Sequence, residues 1–225
     1  MSDPDGASAP TSASASTRPG VSWLRVALVA IAVGVLGGAI GYLVGTRQGV
    51  PATDSVDVGF YQDMISHHEQ AIQMAAVQLA SGSDPRVSSF AREILQFQSY
   101  EIGLMRQQLA GWGIEPGDRP DTAMGWMGRP VPVDEMPGLA TPEQVDALRN
   151  SQGAETDALF LELMAAHHIG GVAMADHAAG QAERDDVRRL ASTMARNQAI
   201  EVNEFRALAE RLGLEIEIPA VPDHG

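Results

Sequence analysis

Two stretches of the chain carry side chains suited to binding a transition metal, at the same spacing. They read DMISHHEQAIQMAAVQ over residues 63–78 and LMAAHHIGGVAMADHA over residues 163–178. In each, a methionine precedes a histidine pair by one helical turn, and a Met-Ala follows: Met64, His67, His68 and Met74, then Met164, His167, His168 and Met174. His177 adds a further imidazole to the second stretch. Imidazole suits copper, zinc, iron and nickel, whereas thioether selects Cu(I) and its soft relatives. The chain has no cysteine, which excludes thiolate ligands, disulfides and iron–sulfur clusters. Its ten Met and six His are the remaining soft and borderline donors, so copper is the ion expected first. Zinc would use His and Glu and leave the thioethers idle. A di-iron site wants several carboxylates with Glu-x-x-His on two helices; the corresponding segments here read Gln98-x-x-Glu101 and Gln198-x-x-Glu201.

Positioning these groups requires helices. At about 100° per residue, Phe60, Met64, His67, His68, Ala71, Met74 and Ala75 fall on one face, an amphipathic stripe that carries the histidines inward. The segment SGSDP ends that helix at Gly82 and starts the next, with Asp84 as cap and Pro85 at its first position. The second helix, to about Ala110, turns Ala91, Ile94, Gln98, Glu101, Met105 and Leu109 inward, and GWG at 111–113 stops it. A shift of 100 residues without a gap repeats the whole unit. Asp57, Phe60, Val87, Ala91, Gln98, Glu101 and Gly113 meet Asp157, Phe160, Val187, Ala191, Gln198, Glu201 and Gly213. Two amphipathic hairpins, each with an apolar stripe to bury, predict an all-α four-helix bundle over 54–214. Hairpin one spans 57–113, a long crossover 114–156 and hairpin two 157–213. Within the crossover, TPEQVDALRN predicts a short helix capped by Thr141. Residues 215–225 form an irregular tail.

Adjacent histidines point about 100° apart, so the two of a pair rarely hold one ion together. Folding the hairpins against each other instead collects His67, His68, His167 and His168 from both copies. Glu101 and Glu201 then serve as acceptors that orient the imidazoles. A satisfied hydrogen-bond network with methionine as core filler is the plainer account of such a stripe. Against it, burying several ionisable groups costs several kcal/mol unless they are paired or bind a metal, and the chain carries the same costly set twice.

The segments MISHHEQAIQMA and MPGLATPEQVDALRNSQGAETDALFLELMAAHHIGGVAMA, with the two Gln-x-x-Glu-[Ile/Val] segments, resemble the bacterial family catalogued as domain of unknown function 305. The resemblance covers about residues 54–214. It implies a ferritin-like fold, export from the cytoplasm and, in some members, copper binding. Two positions depart from the family pattern: Leu139 stands in MPGL where a methionine is common, and Phe205 is the counterpart of Met105. Met124, Met127 and Met136 in the crossover are further soft donors, expected to be exposed.

The remaining chain bears on location and partners. Residues 1–22 are largely Ser, Ala, Pro, Gly and Thr, which reads as a disordered tail. Residues 23–46 form the expected membrane anchor: no charge occurs from Val26 to Gly45, and twenty residues at about 1.5 Å each match a bilayer core. A cleaved signal peptide would have a shorter apolar run and a small-x-small site. Arg18 and Arg25 before the span and Arg47 after it favour an inside N-terminus, a single-pass topology and a periplasmic or otherwise extracytoplasmic bundle. A net charge of −14 with no lysine argues against a nucleic-acid partner. No catalytic triad, phosphate loop or dinucleotide motif occurs, so no enzyme is expected. The sequence thus predicts a membrane-anchored copper-binding protein for buffering, delivery or resistance. The rival readings are a metal-free helical interaction module and, behind it, a ferritin-like metal oxidase.

Overall fold

The computed structural model describes residues 23–45, 49–115, 118 and 120–221. The expected disordered tail over 1–22 and the last residues of the C-terminal tail lie outside them. Two compact units divide the chain at Gly49. The first contains α1, Trp23–Gly45, whose side chains from Ala27 to Ala39 are exposed and nearly all apolar.

The second unit is all-α and holds four long helices: α2 (Val56–Ser81), α3 (Pro85–Gly111), α5 (Ala154–Gln181) and α6 (Asp185–Leu212). α2 packs on α3 and α5 on α6, and the two hairpins meet through α2 and α5. α5 is apolar and long enough to span a membrane, but most of it is buried inside the bundle, which is why it lacks a polar face. The expected caps form. The Asp84 carboxylate accepts from the Arg86 and Val87 amides with Pro85 in the first turn of α3. Thr141 and Gln144 make a reciprocal capping box at α4, Pro142–Asn150. Gly82 ends α2 with extended backbone rather than a left-handed turn; what its place requires is space, since a Cβ there would fall inside the Gln78 side chain.

Two aspartates lock the hairpins together. Asp157, in the first turn of α5, accepts from the amides of Ser83 and Asp84 in the α2–α3 turn, from the Ser83 hydroxyl and from the Gln78 amide. Its counterpart Asp57, in the first turn of α2, accepts from the amides of Glu183 and Arg184 in the α5–α6 turn. Each hairpin thus caps the turn of the other, and both carboxylates are buried.

The crossover is more ordered than its Pro- and Gly-rich composition suggests. Thr122–Ala123 (β1) pairs antiparallel with Val131–Pro132 (β2), and the Asp63 carboxylate accepts from the Met124 amide and the Trp126 indole. The expectation of exposed crossover methionines is corrected: Met124 and Met136 are 2% exposed and Met127 is half-buried, because this segment seals one end of the core.

Candidate metal centre

α2 and α5 run antiparallel, with the end of α2 at Gly82 bridged to Gly153 at the start of α5. Their midpoints therefore coincide, and those midpoints carry the histidine pairs. The rings of His67 and His167 lie 3.8 Å apart between centroids, tilted by 38°. All four paired histidines are fully buried.

Each ring spends one nitrogen on an acceptor that carries no proton of its own. His67 Nε2–H donates to the Pro137 carbonyl at 3.1 Å, and His167 Nε2–H to the His67 carbonyl at 2.9 Å. His68 Nε2–H donates to Glu101 Oε2 at 2.8 Å, and His168 Nε2–H to Glu201 Oε2 at 2.6 Å. The Pro137 and His67 carbonyls can only accept, so Nε2 of His67 and of His167 must hold a proton, and in the neutral rings Nδ1 is left as a lone pair. The Nδ1 atoms of all four rings are buried without a hydrogen-bond partner. An orphaned buried polar atom costs about 1–3 kcal/mol, so four together call for an occupant or a use. Ligating imidazoles characteristically donate their second N–H to a carbonyl or carboxylate, and all four rings do so here. Each ring thus keeps a buried nitrogen that no other protein group engages.

Electrostatics favour neutral rings at His67 and His167. Burial, then the neighbouring His68, pushes the His67 imidazole down to about 3, although its bond to Pro137 works the other way. Burial, then His67 and His168, holds His167 well below the ordinary histidine range. A neutral imidazole is the form that ligates.

The methionines divide between the two sides of this pair. Met64 and Met174 join Met105, Met194, Met124 and Met136 in one apolar cluster; Met74 and Met164 join Ile94 and Phe205 in the other. Glu101 and Glu201 are partly exposed while their imidazoles are not. His177 stands apart from the four, half-buried, its ring edge-on to Trp126 at 5.5 Å. Among the described residues, no three His, Asp or Glu side chains converge as a ready-made ion cage.

Sequence reasoning missed the strap that covers His67. Pro137 and Gly138 lie against Gly170 so closely that a Cβ on Gly170 would meet the Pro137 carbonyl oxygen. Gln70 pins the same strap by two bonds to the Ala140 backbone. The signal was the Gly170-Gly171 pair in mid-helix, which marks a close approach: Gly170 admits the strap, and Gly171 admits the Gln198 side chain.

Comparison with known proteins agrees with this architecture. A family model described as a domain of unknown function, DUF305, matches residues 57–209. The search of curated proteins gave no match. Among solved structures, a Streptomyces coelicolor DUF305 protein described as secreted is 32% identical over 74% of this chain and 99% of its own, with a TM-score of 0.69. A DUF305 fragment from Deinococcus radiodurans is 29% identical over 69% of this chain and 96% of its own, at 0.60. CopM in its Cu(I)-bound form is 27% identical over 69% and 96%, at 0.52, and has also been solved with Cu(II) and with silver. With the family match spanning both hairpins and the crossover between them, the chain belongs to the DUF305 family.

Proposed function

We propose that this protein is a membrane-anchored, extracytoplasmic copper-binding protein that buffers or delivers the ion. The observation that carries the reading is the set of four buried Nδ1 atoms without a hydrogen-bond partner, each on a ring whose other nitrogen is already oriented by a carbonyl or carboxylate. His67, His68, His167 and His168 are the principal ligands. Met64, Met74, Met164 and Met174 supply thioethers from either side, His177 is auxiliary, and Glu101 and Glu201 orient His68 and His168. A likeness to a protein solved with Cu(I), Cu(II) and silver supports a soft ion. Residues 23–46 provide the anchor, supported by the exposed apolar surface of α1.

Titration of the full chain in detergent micelles with Cu(I), against a chromophoric chelator, tests the reading. The expected dissociation constant is below about 1 μM, equivalent to about −8.2 kcal/mol. Replacing the four paired histidines with Gln should abolish it, with helical content retained. Unchanged affinity in that variant rejects these ligands. No bound copper in the natural protein and no rise in Tm on adding it would leave the metal-free interaction module.

A further inference from the structure

The bundle closes on one side only. α2 and α5 pack directly, whereas α3 and α6 leave a groove of about 250 Å³ between them. Its lining comes in pairs related by the duplication: Phe97 and Asn197 at the rim, Gln98 and Gln198 with Glu101 and Glu201 deeper. The groove therefore lies on the axis that relates the two hairpins, on which His67 and His167 also meet.

The floor is polar in a way the fold does not need. Glu101 and Glu201 stand between the groove and the fully buried rings of His68 and His168, each giving Oε2 to its imidazole. Gln98 and Gln198 are each 4% exposed, yet Oε1 of Gln98 and both Oε1 and Nε2 of Gln198 have no hydrogen-bond partner. Apolar residues would have packed α3 onto α6 without that cost. The carboxylates of Glu101 and Glu201 and the Met194 thioether line the same groove, which offers a passing Cu(I) ion both opposite charge and a soft donor. A cleft of one charge sign also raises the local cation concentration.

We propose that the α3–α6 groove is the passage by which the metal ion enters and leaves the bundle, with Glu101, Glu201, Met194, Gln98 and Gln198 forming a transit site ahead of the imidazoles. This rests on the copper reading above. A passage has a kinetic signature: obstructing it slows uptake and release together and leaves the equilibrium where it was.

The test uses the full chain in micelles with Cu(I) as the probe. Release is followed by colour development with excess bathocuproine disulfonate, and uptake by removing free metal on a chelating resin at timed intervals. Asn197→Trp narrows the rim at an exposed position that tolerates bulk. Gln98→Leu/Gln198→Leu makes the floor apolar. Both variants should slow uptake and release by about tenfold or more, with the dissociation constant moving less than about threefold. Natural rates in both variants overturn the passage while leaving the imidazole site standing. Slowing in Asn197→Trp alone overturns the transit site at the floor. Faster release with weaker binding in the Leu pair makes those amides part of the resting site, which also overturns it. No Cu(I) uptake by the natural protein removes the copper reading and the passage together.

Discussion

His67 is a base held neutral by the fold, and this links stability to pH with a definite sign. Its folded pKa of about 3 lies below the ordinary value of 6.5, and His167 is displaced in the same direction by burial. Between those limits the unfolded chain binds protons that the folded chain does not. The stability conferred by neutral burial is therefore complete above about pH 6.5 and is lost progressively as pH falls toward 3. Above about pH 5 the carboxylates of Asp and Glu remain ionised, so the interval from 6.5 to 5 isolates the imidazoles. Metal-free protein unfolded with urea should lose up to about 1.4 kcal/mol per pH unit for each such ring across that interval. His67→Gln, which keeps a donor for the Pro137 carbonyl, should flatten the slope by one proton's worth. The same slope in the variant as in the natural protein would mean that His67 is not buried neutral.

Between helices, the two aspartates show what periodicity can and cannot reveal. The shift of 100 residues equates Asp57 with Asp157, but nothing in a helical repeat says that each caps a turn of the opposite hairpin. Asp157→Ala removes the acceptor of the part-buried Ser83 and Asp84 amides and of the buried Gln78 side chain, and should cost about 2 kcal/mol in urea unfolding. Asp57→Ala, which removes the acceptor of two part-buried amides, should cost about 1 kcal/mol. Losses under about 0.5 kcal/mol, as at an ordinary surface position, would deny the clasp its role. The helices, their caps and the inward faces were legible because each rests on local rules: period, Asp-Pro, Thr-Pro. The strap over His67 and the sealing of Met124 and Met136 were not, since both depend on which hairpin faces meet. Sequence leaves that undecided, because the stripes on α2, α3, α5 and α6 are all apolar enough to pack. The histidines were legible as a set by duplication, and the 3.8 Å approach of His67 to His167 follows only once α2 and α5 cross at their midpoints.

Taken as one chain, the protein joins a bundle that buries most of its apolar side chains to a helix that leaves its own exposed. Leu28, Val29, Ile31, Val33, Val35 and Leu36 are each more than half exposed on α1. At about 25 cal/mol per Å² of apolar surface, leaving that helix in water is far costlier than inserting it in lipid. Meanwhile the bundle is a compact unit of its own from Val50 onward. On the proposed function, membrane attachment and metal binding should therefore separate cleanly. In a bacterial host the full chain should sediment with membranes and resist extraction by high salt or carbonate. Deleting residues 1–49 should move the protein to the soluble fraction, with copper stoichiometry and the copper-induced rise in Tm unchanged. At a free-copper concentration about 100 times the dissociation constant, that rise corresponds to about 2.7 kcal/mol in both forms. Mass determination of the membrane-associated chain decides between anchor and signal peptide, since a cleaved leader would leave a mature form lacking α1. Recovery of the full chain in the soluble fraction would remove the anchor from the proposal without touching the histidines, because no donor in the bundle comes from α1.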